Sequence, residues 1–318
     1  MPNRTAIPGP APFPFALRDA ILGWYASNAR RLPFRSTTDP YAILVSEAMA
    51  QQTQAARAGE AWTRFMAAFP TPTALAAATP ADVLRAWQGL GYNRRALSLW
   101  RAARRIVDVH GGRVPADLGA LQALPGVGPY TARAVAAIAF GMPVGAVDTN
   151  VRRVLGRIVA MGTAPLNAAA MQGLADAAVP PDRPAAWTHA LMDIGATICR
   201  PRMPACADCP ARAWCRYASA TEGKVVAGAG RVPASRHRDG RARDTPVPFA
   251  STTRWLRGRI VDLLRAATGD GWIVIEGSIG SHGNTAVASA IEALADEGLV
   301  ELDGAHRGGN RRVRLPVA

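Results

Sequence analysis

Residues 124–132 read Leu124-Pro125-Gly126-Val127-Gly128-Pro129-Tyr130-Thr131-Ala132, and residues 147–151 read Val147-Asp148-Thr149-Asn150-Val151. The first stretch joins two predicted helices, Leu118–Leu124 and Tyr130–Phe140. Its glycines permit positive φ and leave backbone N–H groups uncovered. The following helix N-terminus favours an anion through its dipole. A turn of this kind, centred on Gly126 and Gly128, can hold a phosphate by backbone alone. The plain alternative is a tight helix–helix turn.

Outward from this turn, the chain reads as helix after helix from Phe15 to about Arg216. Apolar residues recur at helical spacing, with Gly or Pro between segments. Predicted helices include Ala16–Ala29, Pro40–Ala58, Pro80–Gln88, Asn93–His110 and Asn150–Met161. Residues 1–14 form a proline-rich flexible tail without the apolar core of a signal peptide. Residues 217–250 carry Gly, Pro, Ser and many Arg and read as a basic linker. Residues 251–318 form a small domain. Helices Thr253–Ala267 and Asn284–Glu297 bracket an apolar run, Trp272–Ile275. Strands Leu299–Leu302 and Arg311–Leu315 then flank a Gly-rich turn, Asp303–Asn310. This order is winged-helix-like, and a structural docking module is the alternative.

The chain has 318 residues and a formal net charge of +14. Such an excess points to a polyanionic partner, most simply nucleic acid. Of the 37 basic residues only Lys224 is lysine, so 36 are arginine. No apolar run reaches the ~18 residues of a membrane span, so a cytoplasmic protein is expected.

All four cysteines lie in one loop, Cys199-x6-Cys206-x2-Cys209-x5-Cys215. Four thiolates in a cytosolic loop suggest a metal site rather than disulfides. Zinc sites usually present two close pairs. The wide outer gaps here favour a larger iron–sulfur cubane, although spacing alone leaves zinc open.

Two carboxylates stand out. Asp39-Pro40 is a helix start, and Glu47 on that helix lies three and four residues after Leu44 and Ile43. It shares their apolar face, where desolvation raises proton affinity and suits a general acid. The plain reading is a stripe-edge glutamate paired with an arginine. Asp148 reads most simply as an N-cap for the helix that follows. A carboxylate there can also stabilise a developing cation.

Taken together, the motifs resemble the MutY-type adenine DNA glycosylases over about residues 16–216. The markers are Leu32-Pro33-Phe34-Arg35, Val45-Ser46-Glu47-Ala48-Met49-Ala50-Gln51-Gln52-Thr53 and Gly89-Leu90-Gly91-Tyr92. The hairpin, the Asp148 segment with Arg153-Val154, and Met192-Asp193-Ile194-Gly195-Ala196 complete the series. The resemblance implies a mostly α, two-lobed helix-hairpin-helix core with a cleft for DNA and a [4Fe-4S] loop held by Cys199, Cys206, Cys209 and Cys215. The small winged-helix-like α/β domain follows it.

The resemblance also implies residue roles. Glu47 protonates the adenine, Asp148 stabilises the oxocarbenium-like sugar, and Tyr130 and Asn150 set that geometry. Gln52 and Tyr92 probe and wedge the duplex while adenine is flipped out. Gln51 and Thr53 belong to the same DNA-contacting motif. Arg35 contacts the flipped base, and Gly126 and Gly128 hold a backbone phosphate.

The implied partner is duplex DNA carrying adenine opposite 8-oxoguanine or guanine, bound by a monomer. Three residues depart from the family pattern. Phe34 stands where Trp is usual, Ala50 where Leu is usual, and His189 where Glu or Gln is common near the base. The last domain is too short for the MutT-like domain of the long forms.

Endonuclease III, a relative, uses a lysine Schiff base where this chain has Tyr130, so a monofunctional glycosylase using water is expected. Thymine glycosylases acting on G·T mismatches also carry tyrosine there, and Gln51-Gln52-Thr53 favours the adenine reading over theirs. A non-enzymatic iron–sulfur DNA-binding regulator is the alternative of a different class.

Overall fold

The computed structural model describes residues 13–159, 166–221, 248–267, 269, 271–303 and 312–317. Most of the expected tail, Lys224 with most of the expected linker, and the Gly-rich turn at 304–310 lie outside the described residues. The described chain divides into two compact units. One comprises the described residues within 1–44, 116–123 and 127–237; the other comprises those within 45–115, 124–126 and 238–318.

The first unit is helical. It contains α1 (Phe15–Asn28), the start of α2 (Pro40–Ala50) and α7 (Leu118–Gln122). It also holds α8 (Pro129–Ala139), α9 (Thr149–Val159), α10 (Ala168–Ala178), α11 (Pro184–Thr197) and α12 (Arg216–Thr221). Helix α11 packs against α1, α8 and α9. Leu17, Ile21, Leu155, Met171, Trp187, Leu191 and Ile194 form the core there. Phe13, from the expected tail, is buried in this core and meets Trp187 edge-on. Alanines 134, 136 and 137 of α8 are fully buried, and their small side chains let neighbouring helices approach closely.

Helix starts follow the caps in the sequence. Asp39 accepts from the Tyr41 and Ala42 amides (3.1 and 3.3 Å), and Asp117 accepts from Ala120 N (2.8 Å). Such caps satisfy amides that the helix itself leaves unpaired. The chain stays helical to Thr221, beyond the predicted limit near Arg216.

The second unit holds the rest of α2, then α3 (Ala55–Ala68), α4 (Pro72–Ala77), α5 (Pro80–Ala86) and α6 (Arg94–His110). Phe65 and Trp87 sit at its centre, rings 5.9 Å apart and nearly perpendicular. Thr71-Pro72 and Thr79-Pro80 start α4 and α5, each threonine accepting from an amide three residues on.

The single helix expected over Pro40–Ala58 is broken. It stops at Ala50, Gln52 takes φ +54°, and α3 begins at Ala55. The reason is tertiary. Arg95 Nη1 donates to the carbonyls of Ala48, Met49 and Gln51, satisfying acceptors that a continuing helix would have used.

The C-terminal segment follows the predicted order. It runs α13 (Thr253–Ala266), β1 (Ile273–Val274), α14 (Asn284–Asp296), β2 (Glu301–Leu302) and β3 (Arg312–Arg314). The sheet is antiparallel in order β1-β3-β2, with Ile273 and Leu302 both opposite Val313. Leu256, Ile260 and Leu264 of α13, Ile291 and Leu294 of α14, and Val313 are all buried. Helix α13 packs on both α14 and α5.

Candidate active site and cysteine pocket

Asp148 does cap α9. Its Oδ1 accepts from Val151 N (2.7 Å) and its Oδ2 accepts from Asn150 Nδ2 (3.1 Å). Both carboxylate oxygens are thereby oriented, and the helix dipole favours the negative charge.

Asn150 is itself held. Its Oδ1 accepts from Arg153 Nη2 (2.7 Å), and the same nitrogen donates to Gly195 O (2.7 Å). Arg153 Nε reaches Cys199 O at 2.6 Å. Arg153 thus links Asn150 to the start of the cysteine loop. In the sequence Arg153 stands out only as a motif member. Gly195 is required by close approach: a Cβ there would lie 2.5 Å from Asn150 Cβ.

Arg35 lies on a short 3-10 turn, Pro33–Arg35. Its Nη1 and Nη2 donate to Asp193 Oδ2 and Oδ1 (2.5 and 2.7 Å), the bidentate fork that guanidinium favours. Asp193 is fully buried and also binds Arg30 through that residue's backbone N and Nε. Burial opposes ionisation of Asp193, but the hydrogen bonds and charges of Arg35 and Arg30 outweigh it and hold the carboxyl below its usual range. Only Arg35 Nε remains uncommitted, a buried donor.

His189 sits beside this pair, its ring 6.3 Å from that of Tyr25. Desolvation, with Arg35 adding repulsion, pushes its pKa down to about 4. The imidazole is therefore neutral near pH 7. Asp193, like Arg153, is legible in the sequence only as a motif residue.

In the second unit, Glu47 is half-buried on α2, one turn past the buried Ile43 and Leu44. Arg95, which no sequence motif marks, brings two predicted DNA-contacting motifs together. Beyond its α2 contacts, its Nη2 donates to Thr53 Oγ1 (3.3 Å), Leu90 O (3.2 Å) and Gly91 O (3.1 Å). Gln51–Thr53 and Gly89–Tyr92 are thereby tied to one guanidinium. Gln52 and Tyr92 are both exposed, and both adopt left-handed backbone (φ +54° and +46°).

Gly126 takes φ +78°, and a Cβ on it would fall 2.6 Å from Ser98 Cβ, so a larger residue is excluded twice over. Gly128 is the exposed N-cap of α8. A Cβ there meets nothing within 4 Å, so the space beside this helix start is open. Tyr130 lies in the first turn of α8, partly buried.

The four cysteines, none in a disulfide, line one pocket with Arg157, Ile198, Pro204, Tyr217 and Ala218. Arg157, itself buried, donates to Cys199 Sγ (3.3 Å) and to Arg200 O and Pro201 O. Its guanidinium lies 4.6 Å from the Tyr217 ring centroid. Burial pushes the Cys206 and Cys215 thiols up, and Cys209 up to about 11. Among the described residues, no group of three or more His, Cys, Asp or Glu side chains converges on the position of a single metal ion.

Comparison with known proteins follows the same lines. The family described as HhH-GPD superfamily base excision DNA repair protein matches residues 45–178. The chain is 44% identical over 263 residues to the adenine DNA glycosylase of Mycobacterium tuberculosis, covering 78% of each protein. It is 40% identical to the human adenine DNA glycosylase, covering 69% of this chain and 42% of that one. Among solved structures, a thermostable thymine-DNA glycosylase is similar at a TM-score of 0.59 and 32% identity. That match covers 64% of this chain and 94% of the other. No described helix is long and apolar enough to cross a membrane.

Proposed function

The chain belongs to the adenine DNA glycosylases of the HhH-GPD superfamily, and from that premise we propose that it hydrolyses the N-glycosidic bond of adenine mispaired with 8-oxoguanine or guanine in duplex DNA. The observation that carries this reading is Asp148, whose two oxygens are oriented by Val151 N and Asn150 Nδ2 at a helix start.

In this reading Glu47 gives a proton to the adenine ring. The C1′–N bond breaks, and its electron pair leaves with the base. Asp148 stabilises the positive charge left on the sugar. Water then adds at C1′ and returns a proton to the enzyme. Tyr130, which is not an amine, forms no Schiff base, so the strand stays intact after base release. Gly126 and Gly128 receive a backbone phosphate. Gln51, Gln52, Thr53 and Tyr92 contact the duplex, and Arg35, held by Asp193, contacts the extruded base.

The cysteine pocket suits a [4Fe-4S] cluster. Its donor set is four thiols of one loop, lined also by Ile198, Pro204 and Ala218 and by Arg157 and Arg212, and the wide outer gaps between the cysteines suit a cubane. Such a cluster would supply the charge that holds buried thiols deprotonated and would tie the loop into one unit. Arg157 would neutralise part of the thiolate charge.

The test is single-turnover base release from duplexes holding A opposite 8-oxoguanine, A opposite G, T opposite G and A opposite T, each with and without alkali. Adenine release from the first two, with strand scission only after alkali, is expected. Release of thymine alone would keep the fold and replace the substrate. No release by protein that binds these duplexes would put the regulator reading first.

A further inference from the structure

Tyr92 carries an unusual contact. The guanidinium of Arg254, 162 residues away in the C-terminal segment, lies 4.1 Å from its ring centroid. Arg95 lies 5.5 Å from the same centroid. Tyr92 is 41% exposed and holds a left-handed backbone conformation, which is uncommon for a bulky residue. Arg254 is exposed and, among the described residues, its side chain makes no hydrogen bond or ion pair. The ring is its one described partner.

The helix turn that carries Arg254 is well fixed. Thr252 caps α13, accepting from Trp255 N at 3.2 Å. Trp255 stacks on His282 (5.8 Å, 21°), and His282 Nε2 bonds to Ala250 O. Gly280 lies so close beneath Trp255 that a Cβ would fall 2.7 Å from its ring.

Three turns further along, Arg265 pins α13 to the helical part of this unit. It donates to Leu84 O and Asn93 Oδ1, each at 2.8 Å. Arg85 Nη2 adds a bond to Gly269 O (2.8 Å). Asn93 is the residue after Tyr92, so the same docking that anchors the domain also borders the wedge.

We propose that the C-terminal domain preorganises Tyr92 for base extrusion, with Arg254 as the positioning residue that clamps the ring. This rests on the reading of Tyr92 as the wedge. A side chain that enters a base stack works best when it loses little rotational freedom on entry, and a cation held over its face supplies that restraint. A clamp made by a docked domain stays in place without DNA.

The experiment has two arms. In the first, free protein labelled with fluorotyrosine gives five resonances for the five tyrosines, and Tyr92→Phe identifies the one from Tyr92. Arg254→Ala is expected to shift that line and leave the other four. Arg254→Lys should restore part of the shift. An unmoved line would overturn the clamp whatever the protein's substrate.

In the second arm, single-turnover adenine release is compared between A opposite G and A opposite an abasic analogue, where extrusion is cheap. Arg254→Ala should slow the first by about 3- to 30-fold and the second by much less. Combined with Tyr92→Ala, it should add nothing further. Equal slowing on both duplexes, or additivity with Tyr92→Ala, would make Arg254 a separate DNA contact and refute the proposal.

A wild type inactive on every duplex would instead refute the glycosylase reading. The clamp's use would then be judged by 2-aminopurine fluorescence in the bound duplex. Unchanged base unstacking in Arg254→Ala would sink it.

Discussion

Gly195 and Asn150 face each other across the α9–α11 contact with no room for a methyl group: a Cβ on Gly195 would lie 2.5 Å from Asn150 Cβ and 3.2 Å from its Cα. The same residue's carbonyl, Gly195 O, accepts from Arg153, which also holds Asn150. Gly195→Ala must push Asn150 and with it Asp148. Displacement near 1 Å at a reacting centre costs about 100-fold in rate. Single-turnover base release should fall on that scale while duplex binding holds. Unaltered turnover would show that Asn150 does not set the geometry.

Glu47→Gln keeps the side chain's shape and removes the proton it is proposed to donate. General acid catalysis contributes about 100- to 10,000-fold. Base release should drop within that range, with DNA affinity unchanged. Full activity in this variant would remove Glu47 from the mechanism.

Asp193 is the buried counter-charge to Arg35, whose side chain is only 8% exposed, and to Arg30. Asp193→Ala leaves the Arg35 guanidinium buried without a carboxylate. Such a loss typically costs about 3–5 kcal/mol. Denaturant unfolding should show it. Asp176→Ala, at a more exposed pair with Arg133, should cost much less. Equal losses at the two positions would contradict this account.

His189 binds its proton more weakly in the folded chain, at about 4, than in the unfolded chain, whose value is 6.5. Between those pH values the unfolded state takes up more protons. Stability from this group is therefore present above pH 6.5 and is lost as pH falls toward 4, at no more than about 1.4 kcal/mol per unit. Arg35, Arg30, Asp193 and Tyr25 surround the ring; Asp193, held low, contributes its own loss only at lower pH. Melting temperature against pH should decline over this window in wild type and decline less in His189→Gln. Parallel curves would exclude His189 as the cause.

The cysteine pocket predicts iron and acid-labile sulfide in equal amounts in protein purified without oxygen. Cys206→Ser or Cys209→Ser should lose both and lower thermal stability. Stoichiometric zinc with no sulfide would replace the cluster by a mononuclear site.

Several features are legible in the residues themselves. The helix start at Asp39 depends on a side chain reaching amides two and three positions away, so it is local. The order of the C-terminal elements is readable from apolar spacing and glycines for the same reason. The Asp148 cap belongs here too, since Val151 N and Asn150 are its near neighbours in sequence. The cysteine spacing likewise places all four thiols in one loop, and the structure brings them to one pocket.

The break in α2 is not legible. Its cause is Arg95, more than forty residues on, drawing off the carbonyls of Ala48, Met49 and Gln51. Nor does Asp193 announce itself as the partner of Arg35, 158 residues earlier. The placement of Arg254 over Tyr92 is of the same kind.

The sequence by itself determined the mostly helical class and many of the helical segments, and it singled out the residues to which the chemistry is assigned, because periodicity, capping and ligand spacing act over a few residues. Only the tertiary structure decided which arginine meets which carboxylate, carbonyl or ring. With 36 arginines of nearly identical intrinsic chemistry, their roles are set by burial and by the neighbours that packing supplies, and no local pattern encodes those.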